Sequence, residues 1–323
     1  MNRLRATFQG RKGAVLSVSL IVWVLAAFDL TLLPRVSSLY LGTLPAKRIA
    51  GVTVTPGSVL LTSTDPTGPA NLWVLSRSDA AARVVGVQLP PWHHGLGART
   101  RPPTIGMRTT LPPVVGRPVD VETWAGAGPA LFVVSSPRRS PTLRLISLRT
   151  GRPLLESTVP LPVQKSDLRD FFVARWSGPR PDLFVLDRNV NRRKPLSPRP
   201  WLIRIYSGES GFKKLILESS IKKSISKQLS QRNWWLDFGV RRPPKPSLVL
   251  VTRGKKTGTG QTEVHALSGH SRFHRFSLHT GTELPERDSL TQRFLFQSER
   301  KGGTVLMAQI RYGRLGLVPV PLP

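Results

Sequence analysis

The chain has 323 residues and carries 48 lysines and arginines against 18 aspartates and glutamates, a net charge of +30. That balance excludes an acidic solvating protein, and 39% hydrophobic residues, with 8 tryptophans and 12 phenylalanines, suffice for a sizeable core. Cysteine is absent, which excludes disulfides, thiolate metal sites and a cysteine nucleophile, and 30 prolines with 27 glycines argue against long helices.

The first element in chain order is apolar. Ala14 to Leu33 read AVLSVSLIVWVLAAFDLTLL, twenty positions whose only charge is Asp29, and about 20 apolar residues match the thickness of a bilayer. Arg3, Arg5, Arg11 and Lys12 precede the span, so the positive-inside bias orients the N-terminus toward the cytoplasm and exports the remainder. The expected organisation is a basic N-terminus over 1–12, a transmembrane signal anchor over 13–34, a tether over 35–50 and a β domain over 51–323. That organisation predicts a single-pass type II membrane protein; the alternative is a secreted chain released by signal-peptide cleavage near Ala26 and Ala27.

Beyond residue 50, short β-branched and aromatic runs alternate with Gly/Pro/Ser clusters, the pattern of an all-β domain. One strand recurs as NLWVLSR (Asn71 to Arg77), ALFVVSS (Ala130 to Ser136), DLFVLDR (Asp182 to Arg188) and SLVLVTR (Ser247 to Arg253), with a shorter copy TVLMA at Thr304 to Ala308. Leu72, Leu131, Leu183 and Leu248 are spaced by 59, 52 and 65 residues, and Val305 follows 57 later. A strand precedes several copies (PVDVET, DFFVAR, NWWLDFGV). A hairpin trails them, closed by a turn written S-G-E-S-G-F at Ser207 to Phe212 and S-G-H-S-R-F at Ser268 to Phe273. Four antiparallel strands repeated at this period predict a β-propeller of about five four-stranded blades. An open β-solenoid is the structural alternative, disfavoured by the unequal spacings.

The run SGPRPDLFVLDR at Ser177 to Arg188, followed by the hairpin ending in S-G-x-S-x-F, resembles the FG-GAP (VCBS-type) repeats of integrin-like propellers, over about residues 60 to 290. That resemblance implies a calcium loop of the form D-x-[DN]-x-D-G before the D-L strand, because a hard cation needs converging oxygen ligands. In the third unit the ligand positions fall on Ala174, Trp176 and Gly178, and Asp182 alone remains of the pattern. The second unit places Glu122, Trp124 and Gly126 there. The first unit gives Ser63, Asp65 and Thr67, then Gly68 and Asn71, so no strong calcium site and no other cofactor is expected, with the Asp65 loop as the remaining metal candidate.

Catalytic patterns are not found. His265, His270, His274 and His279 lie within fifteen residues but read as a decorated hairpin, and Asp237-Phe238-Gly239 lacks every other kinase element. The S-G-E-S-G-F segment misplaces the glycine of a nucleophile elbow and repeats later in the chain, so it reads as a structural turn, and no catalytic residues are assigned.

Charge is the remaining feature. It concentrates at Lys213, Lys214, Lys222 and Lys223, and at Arg241, Arg242, Lys245, Arg253, Lys255 and Lys256, which are the candidate binding residues. The expected function is non-catalytic binding or adhesion, toward a protein or an anionic envelope polymer, by an exported domain. A secreted hydrolase or lyase and a purely architectural envelope component are the alternatives. Nucleic acid is not expected as a partner, because the aromatics fall in strand-like runs and the membrane segment removes the domain from the genome.

Overall fold

The computed structural model describes residues 47–49, 51–52, 54–55, 57–63, 65, 68–89, 102–135, 141–162, 169–187, 201–221, 234–239, 247–253, 261–273, 276–283, 292–297, 304–311 and 314–321. The expected transmembrane segment lies outside them. Among the described residues no helix is long and apolar enough to cross a membrane.

The protein is all-β, with five four-stranded antiparallel sheets in a propeller-like arrangement. The first sheet holds β2 (Val59–Thr62), β3 (Leu72–Arg77), β4 (Ala82–Gln88) and β5 (Thr104–Leu111). The second holds β6 (Arg117–Trp124), β7 (Gly128–Ser135), β8 (Thr142–Ser147) and β9 (Pro153–Thr158). The third holds β10 (Arg169–Ala174), β11 (Asp182–Asp187), β12 (Leu202–Tyr206) and β13 (Leu215–Ser220). The fourth holds β14 (Trp234–Gly239), β15 (Ser247–Arg253), β16 (Gln261–Leu267) and β17 (Phe276–Glu283). The fifth holds β18 (Gln292–Gln297), β19 (Thr304–Arg311) and β20 (Arg314–Pro321), and takes β1 (Lys47–Arg48) as its outermost strand. The expected tether thus contributes two residues to a sheet, with Lys47 opposite Leu317 and Arg48 opposite Gly316.

The leading strands of neighbouring sheets touch: β2 meets β6 and β18, β6 meets β10, and β14 meets β18. The recurring run of the sequence is the second strand of each sheet, buried throughout in β11 and nearly so in β3 and β7. Its continuous apolar character follows from burial on both faces: in the third sheet, Phe184 and Leu186 join one core cluster and Leu183 and Val185 the next. The core is therefore a series of layers between sheets. Gly86 is required by one of them, since a Cβ there would come within 2.7 Å of the buried Trp73 ring.

The S-G-x-S-x-F turns are structural, and both copies have the same geometry. Phe212 and Phe273 adopt left-handed backbones, at φ 68° and 67°, and their amides donate to Ser207 O at 2.8 Å and Ser268 O at 2.9 Å. Each turn thereby inserts a phenylalanine into the sheet before it. Phe212 packs 5.9 Å from Trp124 and 6.3 Å from Phe132; Phe273 packs 5.6 Å from Trp176 and 6.5 Å from Phe184. The strain of a left-handed non-glycine residue is offset by burying a whole aromatic ring.

Candidate functional site

The ends of β2, β6 and β10 lie together, and polar side chains link them. Asp120, on β6, accepts from Thr62 Oγ1 at 3.2 Å with one carboxylate oxygen and from the backbone amide of Val173 at 3.2 Å with the other. One side chain thus bridges three sheets and satisfies an amide on an otherwise unpaired strand edge. Beside it, Ser63 Oγ contacts Glu122 Oε2 at 3.5 Å, and Arg175 Nη2 donates to Asp65 Oδ2 at 3.1 Å. Near the start of these strands Arg117 and Asp170 pair at 3.6 Å. Asp65, Asp120, Glu122 and Asp170 are all buried. Where the sequence leaves Asp65 as a metal candidate, its carboxylate is paired with a guanidinium, and no group of three or more metal-ligating side chains converges among the described residues.

A second polar cluster runs across all four strands of the third sheet. Arg169 Nε donates to Asp187 Oδ1 at 2.6 Å, Arg204 Nη1 donates to Asp187 Oδ2, and Arg204 Nε donates to Glu218 Oε2 at 2.7 Å. Arg169 Nη2 also donates to Pro162 O at 2.8 Å, while among the described residues its buried Nη1 has no hydrogen-bond partner. The second sheet repeats only the outer half of this ladder, as Arg144–Glu156 at 3.1 Å, and there the pair is solvent-exposed. Burial also pushes the nearby Tyr206 phenol above its ordinary value, and its hydroxyl donates to Pro160 O at 3.3 Å.

Asp182 closes turns. Its carboxylate accepts from the amides of Trp176 at 3.1 Å, Ser177 at 2.7 Å and Gly208 at 2.8 Å, and from Ser177 Oγ. Burial raises its pKa above the ordinary carboxylate value, and the hydrogen bonds from Gly208, Ser177 and Trp176 partly counter that. A Cβ on Gly208 would collide with the Pro181 carbonyl, so glycine is what lets this amide reach the carboxylate.

Among the candidate binding residues, Lys213 and Lys214 stand exposed on the β12–β13 turn. Arg253 is the last residue of β15. Lys222, Lys223, Arg241, Arg242, Lys245, Lys255 and Lys256 lie outside the described residues. Cations that the sequence reading passed over share the end of Lys213 and Lys214: Arg149, Arg152 and Arg175 are exposed, and Arg180 lies 5.0 Å over the Trp124 ring and 3.7 Å from Glu209. His265 and His279 fall on β16 and β17, and His270 falls in the turn between them.

The burial of charge is one-sided. Asp65, Asp120, Glu122, Asp170, Asp182 and Asp187 are buried, whereas Arg169 and Arg204 are the buried cations among the described residues. Of the exposed acids among the described residues, Glu156, Glu209 and Glu218 each pair with an arginine, and Asp79 lies on the β3–β4 turn. The carboxylates therefore hold strands and turns together while most described cations face water, and the surface field is more positive than uniform mixing of the charges would make it.

No family model and no curated protein sequence matches this chain. A search of solved structures returns the crystal structure of a triple arginine-to-alanine mutant of AofleA from Arthrobotrys oligospora, 14% identical, with a TM-score of 0.41, covering 81% of this chain and 67% of that one. That likeness is too distant to bear on fold or function.

Proposed function

We propose that the chain is a membrane-anchored, extracytoplasmic propeller of five FG-GAP-like blades, a non-catalytic module that binds a protein or an anionic envelope polymer. The observation that carries this reading is the partition of charge: in a chain of net charge +30, buried carboxylates brace the sheets and exposed lysines and arginines are left to meet a partner. Two features support the ring and the resemblance. β1 pairs with β20, joining the start of the β domain to its end, and the S-G-x-S-x-F turn recurs with one geometry. Assignment as a binder rather than a hydrolase rests on the buried acids, each of which is engaged in hydrogen bonds or ion pairs.

The test is binding of the detergent-solubilised full chain to purified anionic envelope polymers and to neutral glycans across a salt series. Selective retention on the anionic polymers, weakening steeply with salt, is the expected result. Absence of retention even at low salt removes the polymer reading.

A further inference from the structure

We infer that β1 is a releasable latch: it parts from β20 ahead of the outermost strands of the other sheets and so opens an apolar seam between the fifth and first sheets. This conformational device is independent of what the protein binds. The outermost strands β5, β9, β13 and β17 have 8, 6, 6 and 8 residues, and β1 has 2. Side chains also fasten two of the longer ones. Glu156 on β9 pairs with Arg144, and Glu218 on β13 with Arg204; Ser219 Oγ, also on β13, donates to Arg272 O of the next sheet at 2.7 Å.

The sequence keeps this latch short. The Ile49 amide donates to Leu315 O at 3.2 Å, and Lys47 stands opposite Leu317. Successive peptide groups of a strand face alternate neighbours, so the positions of β20 turned toward β1 are Leu315, Leu317, Pro319 and Pro321, while Val318 and Val320 face Met307 and Val305 of β19. The two prolines have no N–H to give, so the edge ends as a ladder at Leu317. Pro45, the next position of the β1 side that would face this edge, lacks one too. In the other direction β20 begins at its hairpin, with Arg311 opposite Arg314. The amides of Lys47, Ile49, Leu315 and Leu317 are thus all that this pairing can use. What holds the latch besides them is Ile49, which is buried in a cluster with Leu60, Leu72 and Val74 of the first sheet and Leu315 and Leu317 of the fifth. Release of β1 withdraws Ile49 from that cluster and lets water reach the seam.

The test is amide hydrogen exchange of the detergent-solubilised full chain. The Leu315 and Leu317 amides should be protected on the order of a hundredfold less than those joining β8 to β9 and β12 to β13; equal protection overturns the latch. A clamp gives the second measurement. The chain has no cysteine, and Arg48 and Gly316 face each other as a non-hydrogen-bonded pair, with Cα atoms about 4.5 Å apart, within disulfide reach. In oxidised R48C/G316C the protection of Leu315 and Leu317 should rise to that of the other sheets, and protection unchanged by the formed disulfide overturns the inference. Ile49→Ala needs no new bond: it should lower the protection of Leu315 and Leu317 by a further factor on the order of ten while β11 keeps its own. An equal loss in β11 would mean that β1 leaves only when the whole domain unfolds, which also overturns it.

Discussion

Asp182 in the third sheet and Asn71 in the first hold equivalent backbone amides. Leu183 faces Tyr206 and Leu72 faces Val87, and the residue two positions beyond each facing partner donates its amide: Gly208 to Asp182 at 2.8 Å, Leu89 to Asn71 at 2.9 Å. In the second sheet, where the position is Ala130, the equivalent amide of Leu148 turns to Pro129 O at 2.9 Å. The repeat keeps one backbone need and meets it three ways, and the residue resembling a calcium-loop aspartate acts in this chain as a turn clamp.

Asp182→Ala leaves three amides without their acceptor, so a loss of about 3–5 kcal/mol is expected in denaturant unfolding. The folded carboxyl titrates above its unfolded value, because burial disfavours the charged form. The native state then binds the proton more tightly, and this group's contribution to stability falls as pH rises from the ordinary carboxylate value through the raised one. Asp182→Asn should flatten that part of the pH profile while remaining destabilising near neutrality, since one amide oxygen cannot serve both the Trp176–Ser177 turn and Gly208. A pH slope unchanged in the variant would contradict this.

Asp187→Ala strands two buried guanidinium groups and should cost about 3–5 kcal/mol. Arg169→Met should cost less, because Arg204 keeps both its partners and the unpaired Nη1 is removed with the side chain. Urea midpoints of the two variants give the order directly; equal losses would mean that the ladder does not act as one network.

Phe212→Ala empties the contact with Trp124 and Phe132, for a loss of about 3–5 kcal/mol. Phe212→Gly should be milder than Phe212→Ala by about 1 kcal/mol, the reverse of the usual order, because the backbone is left-handed at φ 68°. Phe273 should behave in parallel. If glycine is the worse substitution at both positions, the assigned turn conformation is wrong.

Calcium should leave the thermal midpoint of the wild type unchanged, since the Asp65 carboxylate is held by Arg175 at 3.1 Å. A calcium-dependent rise would show that the guanidinium yields its place to the cation, and a scan with and without chelator decides it.

Repetition made the strands legible. The runs at Leu72, Leu131, Leu183, Leu248 and Val305 each fall on the second strand of a sheet, and the S-G-x-S-x-F copies are turns of one geometry. Two things were not legible. Strand β1 is two residues inside a stretch with no strand pattern, and its pairing depends on β20 more than 260 residues later. The acid bridges and the arginine ladder join residues that meet only once register is set: Asp120 reaches Thr62 and Val173 across sequence separations of 58 and 53, and Arg169 and Arg204 meet Asp187 across 18 and 17. The available signal was a carboxylate inside or ending an apolar run, Asp120 in PVDVET and Asp187 in DLFVLDR. Seven of the ten clustered cations, from Lys222 to Lys256, lie outside the described residues, while Arg149, Arg152 and Arg180 stand apart from those clusters in the sequence.

The central claim is a cationic β domain displayed outside the cytoplasm by its N-terminal segment, and protease treatment of intact cells expressing the full chain with an N-terminal tag tests it most directly. The account predicts that the β domain is digested from outside while a short tagged fragment stays membrane-bound and protected. A chain that remains whole until the cells are lysed, and then fractionates as soluble, would contradict it.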